Sequence, residues 1–289
     1  MNESLRERIA EYDRPKRKAL SSRFPFLVGP ATFVRKAQRH IKNLATIKKL
    51  KRVEEIFPSV VARHSSPLYR KLGSSDDRLQ KNKVINLAKA IEKLDGLVIP
   101  PGETFSLWKA IGSVTKRKGY VSGMLLSNGK VSEGIGGGLC QLSNFLYWIF
   151  LHADTQINER HHHSVDVFPD SGRTLPFGSG ATIFHNYLDL KVKNTSKRPL
   201  QIQLWLTDNA LRGMLLSDAP AENKFHVFER NHHFIKSGER YFRYNEIYRE
   251  KLLRGQKVSE EKIITNFAPV VYEIDETALR ERGHEIVYI

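Results

Sequence analysis

Apolar residues at Val34, Ala37, Ile41, Leu44 and Ala45 recur at helical spacing. Arg35, Lys36, Arg39, Lys42, Lys48, Lys49, Lys51 and Arg52 surround them, so a basic amphipathic helix is predicted over 31–52. A cleaner stripe of Val84, Leu87, Ala88, Ile91 and Leu94 predicts a helix over 82–94, with Asn82 as its N-cap and Gly96 as its left-handed stop. Residues 58–80, punctuated by Pro58, Ser65-Ser66-Pro67 and Gly73-Ser74-Ser75, read as loop. The unbroken run Phe145-Leu146-Tyr147-Trp148-Ile149-Phe150-Leu151 predicts a buried helix.

Elsewhere the pattern alternates with a period of two. Leu97-Val98-Ile99 is a short strand halted by Pro100-Pro101-Gly102, and Tyr120 to Leu126 with Lys130-Val131 form a hairpin about Asn128-Gly129. A strand is predicted from Ile157 through His161-His162-His163 to Phe168, closed by the loop Pro169 to Arg173. Others follow at Ala181 to Phe184, Leu188 to Val192, Leu200 to Leu206 and Leu211 to Leu216. From Phe225 to Tyr248 aromatic and basic residues interleave as two strands around Lys236 to Glu239, and the sheet is expected to end at Ala268 to Tyr272. One core face and one solvated face account for that alternation; stacking on bases or sugars is the alternative.

The fold class that results is α+β: N-terminal helices, a central helix packed on an antiparallel sheet, and a β-rich C-terminal part. Residues 1–30 form a basic, loosely ordered segment; 31–96 are helical; 97–217 make the α+β core; 218–289 are a β-rich extension. The length of 289 residues is ample for a core, and 40% hydrophobic with 27% charged residues is a globular composition. A net charge of +16 adds an anionic partner to the picture: a wall polymer or precursor, acidic lipid headgroups, or nucleic acid, the last resting on charge alone. No stretch reaches the roughly 20 apolar residues of a membrane span, and the N-terminus lacks a signal-peptide core. The expectation is a cytoplasmic protein whose basic helix can lie at the inner membrane face.

Chemistry concentrates in Gly134-Ile135-Gly136-Gly137-Gly138-Leu139-Cys140-Gln141-Leu142-Ser143-Asn144. Cys140 is the only cysteine, so no internal disulfide forms. At a helix N-terminus its thiolate would be favoured and its pKa lowered. With a histidine from Glu159-Arg160-His161-His162-His163-Ser164, it could make a nucleophile pair. On a strand His161 and His163 share a face, so at most two of the three histidines serve one site. A buried core cysteine, a solvated histidine loop and a metal site of Cys140, His161 and His163 stand as alternatives.

Pro101-Gly102-Glu103-Thr104-Phe105-Ser106, the GGGLCQLSN stretch, ERHHHS and Asp189-Leu190-Lys191-Val192-Lys193-Asn194 together resemble the VanW family. The resemblance runs from Ser22 to about Ser217. It implies an association with glycopeptide resistance or the cell envelope. Cysteine at a helix start, histidine on the next strand and an acid on the strand after also resembles the arrangement of transglutaminase-like and papain-like thiol enzymes. The family pattern Gly-x-Asp-Ala-Thr corresponds here to Gly178-Ser179-Gly180-Ala181-Thr182, with glycine in place of the acid; Asp166, Asp170 or Asp189 could substitute.

Two readings lead. In the first, a thiol enzyme acts on an amide of a small or peptide-like cell-wall precursor. Cys140 is the nucleophile, His163 or His161 the base, Asp189 the orienting acid, and amides from Gly138 to Gln141 the oxyanion hole. In the second, a non-catalytic module binds an anionic wall intermediate or a partner protein. Gly136, Gly137, Gly138, Gln141, Ser143, Glu103 and Arg160 are the expected binding residues, and no cofactor is expected.

Overall fold

A computed structural model describes residues 2–14, 26, 29, 33–34, 38, 43, 47–69, 77–127, 130–162, 165–166, 175–185 and 187–289. It is an α+β fold with a β-rich C-terminal half. Its elements in order are α1 (Asn2–Asp13), β1 (Lys51–Arg52), β2 (Ser59–Pro67), α2 (Asp77–Leu94), β3 (Leu97–Ile99), β4 (Thr104–Ser106) and α3 (Leu107–Ile111). Next come β5 (Ser122–Ser127), β6 (Lys130–Ile135), α4 (Leu139–Leu151), β7 (Thr155–Glu159), β8 (Lys191–Asn194), β9 (Leu200–Leu206) and β10 (Ala210–Ser217). The chain ends with β11 (Asn223–Ser237), β12 (Arg240–Leu253), β13 (Gln256–Pro269), α5 (Glu276–Glu281) and β14 (Glu285–Tyr288).

The described strands form four sheets, ordered β1-β3-β9-β10-β2, β13-β12-β11-β14, β4-β8-β7 and β5-β6. Every strand pair is antiparallel except β11 with β14. The apolar helix α4 lies at the centre, with Leu142, Phe145, Leu146 and Phe150 at most 1% exposed, because it carries apolar residues on every side. Val227 and Ile247 of the C-terminal sheet join the same core.

Several expectations need correction. The N-terminal segment is not loosely ordered over its first residues: α1 turns Leu5 and Ile9 onto Ile235 and Phe242 of the C-terminal sheet. That stripe is one residue wide per turn, so polar neighbours hide it. Residues 59–67 are a strand, not a loop; polar residues occupy most of β2 because it is the edge of its sheet, paired only to β10. The second helix starts at Asp77 rather than Asn82, whose side chain instead donates to the Ser122 carbonyl. Gly96 does take the left-handed stop, φ 77°. Lys51 and Arg52 are a strand paired to β3 rather than the end of a helix. Of the predicted helix before them only Phe33, Val34, Gln38 and Asn43 up to residue 46 are described, all helical. Chain beyond Tyr272 adds α5 and β14, which the sequence reading lacked.

Candidate functional site

The corner before α4 is built by close packing. Gly137 lies across Gly123, where a Cβ would stand 2.0 Å from the Gly123 carbonyl carbon; no side chain fits. Asn86, fully buried, locks this crossing by donating to Val121 O at 3.0 Å and Gly137 O at 2.9 Å while accepting from Val121 N at 2.9 Å. Gly138 then begins the helix with φ 94°, where a Cβ would meet Lys83 Cγ at 2.2 Å. Gly136, at φ 78°, faces Val114. The three glycines thus serve backbone approach and positive φ within the protein's own packing. Of the amides expected to face an oxyanion, Gln141 N–H donates to Gly138 O at 3.0 Å.

Cys140 stands in the first turn of α4, packed against the main core. Its sulfur lies 3.8 Å from the Ile183 carbonyl, and burial pushes the thiol pKa up, opposite to the lowering expected from the helix N-terminus. Desolvation disfavours the thiolate and outweighs the backbone hydrogen bonding that favours it. Among the described residues no histidine nitrogen bonds this sulfur; His163 lies outside them.

Residues 180–183 run along α4. Ala181 N–H donates to Asn144 Oδ1 at 2.7 Å, and Thr182 N–H donates to the His161 carbonyl at 2.8 Å. His161 and His162 therefore sit beyond this segment rather than on a continuous strand, since β7 ends at Glu159. His161 Nε2 lies 3.1 Å from Glu159 Oε1, so its carboxylate neighbour is Glu159 and not Asp189. Burial, then Arg160 and His161, lowers the His162 pKa.

Asp189 is fully buried and structural in its bonds. Its Oδ2 accepts from Ser106 Oγ at 2.6 Å and its Oδ1 from Trp108 N at 3.1 Å, holding the first turn of α3. Burial raises its pKa. Glu103 pairs with Lys48, and Ser106 caps α3. Gln141 Nε2 donates to Pro67 O at 2.7 Å and Ser66 Oγ at 3.0 Å; Ser143 is fully buried with its hydroxyl unpartnered. These candidates are dispersed. Asp166 is also committed elsewhere, 3.2 Å from Arg243.

Arg160 is different. Its Nε donates to Gly180 O at 2.8 Å and its Nη2 to Gly178 O, while the guanidinium lies 5.1 Å from the centre of the Tyr147 ring. Burial lowers its pKa, and among the described residues no carboxylate pairs with it. Its Nη1 has no hydrogen-bond partner, and neither have the Ser179 and Thr182 hydroxyls on the segment it holds. Asn144, which fastens that segment to α4, ended the quoted cysteine motif, but nothing in its spacing marked it. Among the described residues no three His, Cys, Asp or Glu side chains gather to hold a metal ion, and no helix is long and apolar enough to cross a membrane.

Residues 82–216 match the family model described as "VanW like protein". Over 269 residues, 90% of this chain and 96% of the relative, the sequence is 31% identical to the "Vancomycin B-type resistance protein VanW" of Enterococcus faecalis. It is also 32% identical over 123 residues, 43% of this chain and 39% of the relative, to the "Uncharacterized protein YoaR" of Bacillus subtilis. No solved structure matches.

Proposed function

The chain belongs to the VanW family, and from that premise we propose that it serves glycopeptide resistance or cell-envelope metabolism as a binding protein for an anionic cell-wall precursor. Arg160 is the side chain that recognises the anion. The carrying observation is this guanidinium, shielded from water, with no carboxylate pairing it among the described residues and one nitrogen unpartnered. A cation withdrawn from water without a counter-charge is costly, and an incoming carboxylate or phosphate would relieve that cost through a charge-assisted hydrogen bond. The Ser179 and Thr182 hydroxyls supply further unpartnered polar groups on the segment Arg160 holds. The thiol-enzyme alternative needs a Cys140 thiolate near neutral pH, which burial opposes.

The test is calorimetric titration with the uridine-diphosphate-linked muramyl pentapeptide, a soluble anionic wall precursor. Wild type and Cys140→Ser should bind alike, with the precursor recovered intact. Arg160→Gln should lose at least about tenfold in affinity, with Arg160→Lys between, since lysine keeps the charge but not the fork. Precursor cleavage abolished by Cys140→Ser would overturn the reading in favour of the enzyme.

A further inference from the structure

A second anion-seeking feature lies away from Arg160. The chain from Ile47 to Arg52, whose last two residues pair with β3, lines with β3, β4 and α3 a cleft of about 670 Å³. Its apolar lining is Ile47, Leu50, Leu97 and Ala110. The charged lining is all basic, six side chains from Lys48 to Lys109.

Three of the six are committed. Arg52 donates to Asp95 O at 2.7 Å and Glu92 O at 2.8 Å, capping the end of α2. Lys109 donates to Asn43 O at 3.3 Å and to Ile47 O, which fixes the overlying chain, and Lys48 pairs with Glu103. Lys49, Lys51 and Lys93 are exposed, line the same cleft, and have no carboxylate partner among the described residues. Three like charges around an apolar floor repel one another and attract an anion, and the floor adds affinity only for a ligand with a hydrocarbon part.

We propose that this cleft binds a phosphate or diphosphate group carrying an apolar chain, the phosphate among Lys49, Lys51 and Lys93 and the chain along Leu50, Leu97 and Ala110. The proposal goes beyond the Arg160 reading and does not depend on it. The ligand can reach the cleft as a phospholipid headgroup in a bilayer or as a free amphiphilic phosphate. Lysine suits it, because a phosphate approached by several point charges needs no bidentate fork.

The experiment compares the full-length wild type with two triple variants that each remove three positive charges. One is Lys49→Gln/Lys51→Gln/Lys93→Gln. The other is Lys197→Gln/Arg212→Gln/Lys224→Gln, at exposed positions elsewhere. Dodecyl phosphate, below its micellar concentration, should bind wild type at least about tenfold more tightly than inorganic pyrophosphate does. The cleft variant should lose at least about tenfold, while the second variant keeps wild-type affinity. Co-sedimentation with phosphatidylcholine vesicles containing phosphatidylglycerol, lost only in the cleft variant, would assign the bilayer headgroup. Dodecyl phosphate binding without co-sedimentation would assign the free amphiphile. Equal losses in the two variants, or pyrophosphate binding as tightly as dodecyl phosphate, would overturn the proposal.

Discussion

Asn144 Oδ1 accepts the Ala181 amide at 2.7 Å, so the side chain one helical turn beyond Cys140 is spent on the segment where an orienting acid would stand. A Cβ at Gly180 would lie 2.9 Å from that same oxygen. Gly180→Asp is therefore expected to displace Asn144 rather than complete a catalytic triad. Leaving the buried amide unpaired costs about 1–3 kcal/mol. Urea unfolding measures the loss, and a variant as stable as wild type would show that Asn144 can yield without cost.

Gly137→Ala should do more damage than any change at Cys140. The added methyl meets the Gly123 backbone at 2.0–2.6 Å, and backbone cannot turn aside as a side chain can. Overpacking of side chains costs roughly 1–3 kcal/mol, and a backbone clash belongs at or above the upper end. Cys140→Ala removes one partly buried sulfur and should cost about 1 kcal/mol. Midpoints of denaturant unfolding in the reverse order would contradict the packing account of the glycines.

The central helix, the Gly96 stop, the hairpin arms and β9 were legible because each carries its own period or turn residue. The β2 strand was not, since an edge strand with polar Ser59, Arg63, Ser65 and Ser66 shows little apolar alternation. The cysteine motif stands out in the sequence, but the packing of its glycines does not. A short stretch reports that glycines permit close approach and does not report what approaches, here Gly123 and Lys83. Likewise the sequence shows Asp189 as a candidate acid but not its partners Ser106 and Trp108, which lie more than 80 positions away. The use of Arg249 was equally hidden: it donates to the Ala153 and Thr155 carbonyls at 3.3 Å, just past the end of α4.

The Cys140 thiol is pushed above its ordinary value by burial, so thiolate forms later than in a free cysteine as pH rises. Iodoacetamide should modify the native protein at pH 7 more slowly than it modifies the urea-unfolded chain. The native rate should still be climbing at pH values where that of the unfolded chain has levelled off, and His161→Ala should leave the profile unchanged. A native thiol that reacts faster than the unfolded one at pH 6 would reinstate the nucleophile.

His64 makes stability acid-sensitive. Its ring lies 5.1 Å from Phe145 and 6.4 Å from Trp148, and burial, with His152 adding to it, lowers its pKa to about 4. The unfolded chain, near 6.5, therefore binds the proton that the folded chain refuses. The contribution is complete above pH 6.5 and is lost as pH falls from there towards 4. Partial solvent contact of the ring reduces the effect to about 1 kcal/mol at pH 5. Urea midpoints at pH 7 and pH 5 should diverge less in His64→Phe than in wild type, and identical divergence would remove His64 as the cause.

The Asp166–Arg243 pair tests what a buried charge contributes to this fold. Arg243 Nη1 lies 3.2 Å from Asp166 Oδ2, with side-chain exposures of 3% and 5%, and the guanidinium sits between Phe177 and Phe234 at 4.9 and 5.0 Å from their ring centres. Asp166 also accepts from Tyr272 Oη at 3.2 Å, and Arg243 Nε donates to His232 Nε2 at 2.8 Å. Asp166→Asn preserves shape but takes a carboxylate away from a buried guanidinium in an aromatic setting, so a loss of up to about 3–5 kcal/mol is expected. Replacing both, Asp166→Val with Arg243→Met, removes the buried guanidinium together with that carboxylate and should recover most of that loss. Recovery should stop about 1–2 kcal/mol short of wild type, because Tyr272 and His232 then lose a partner each. Thermal unfolding of the single and double variants decides between the outcomes. A double variant no more stable than Asp166→Asn would mean that the pair fixes local geometry that hydrophobic packing cannot replace.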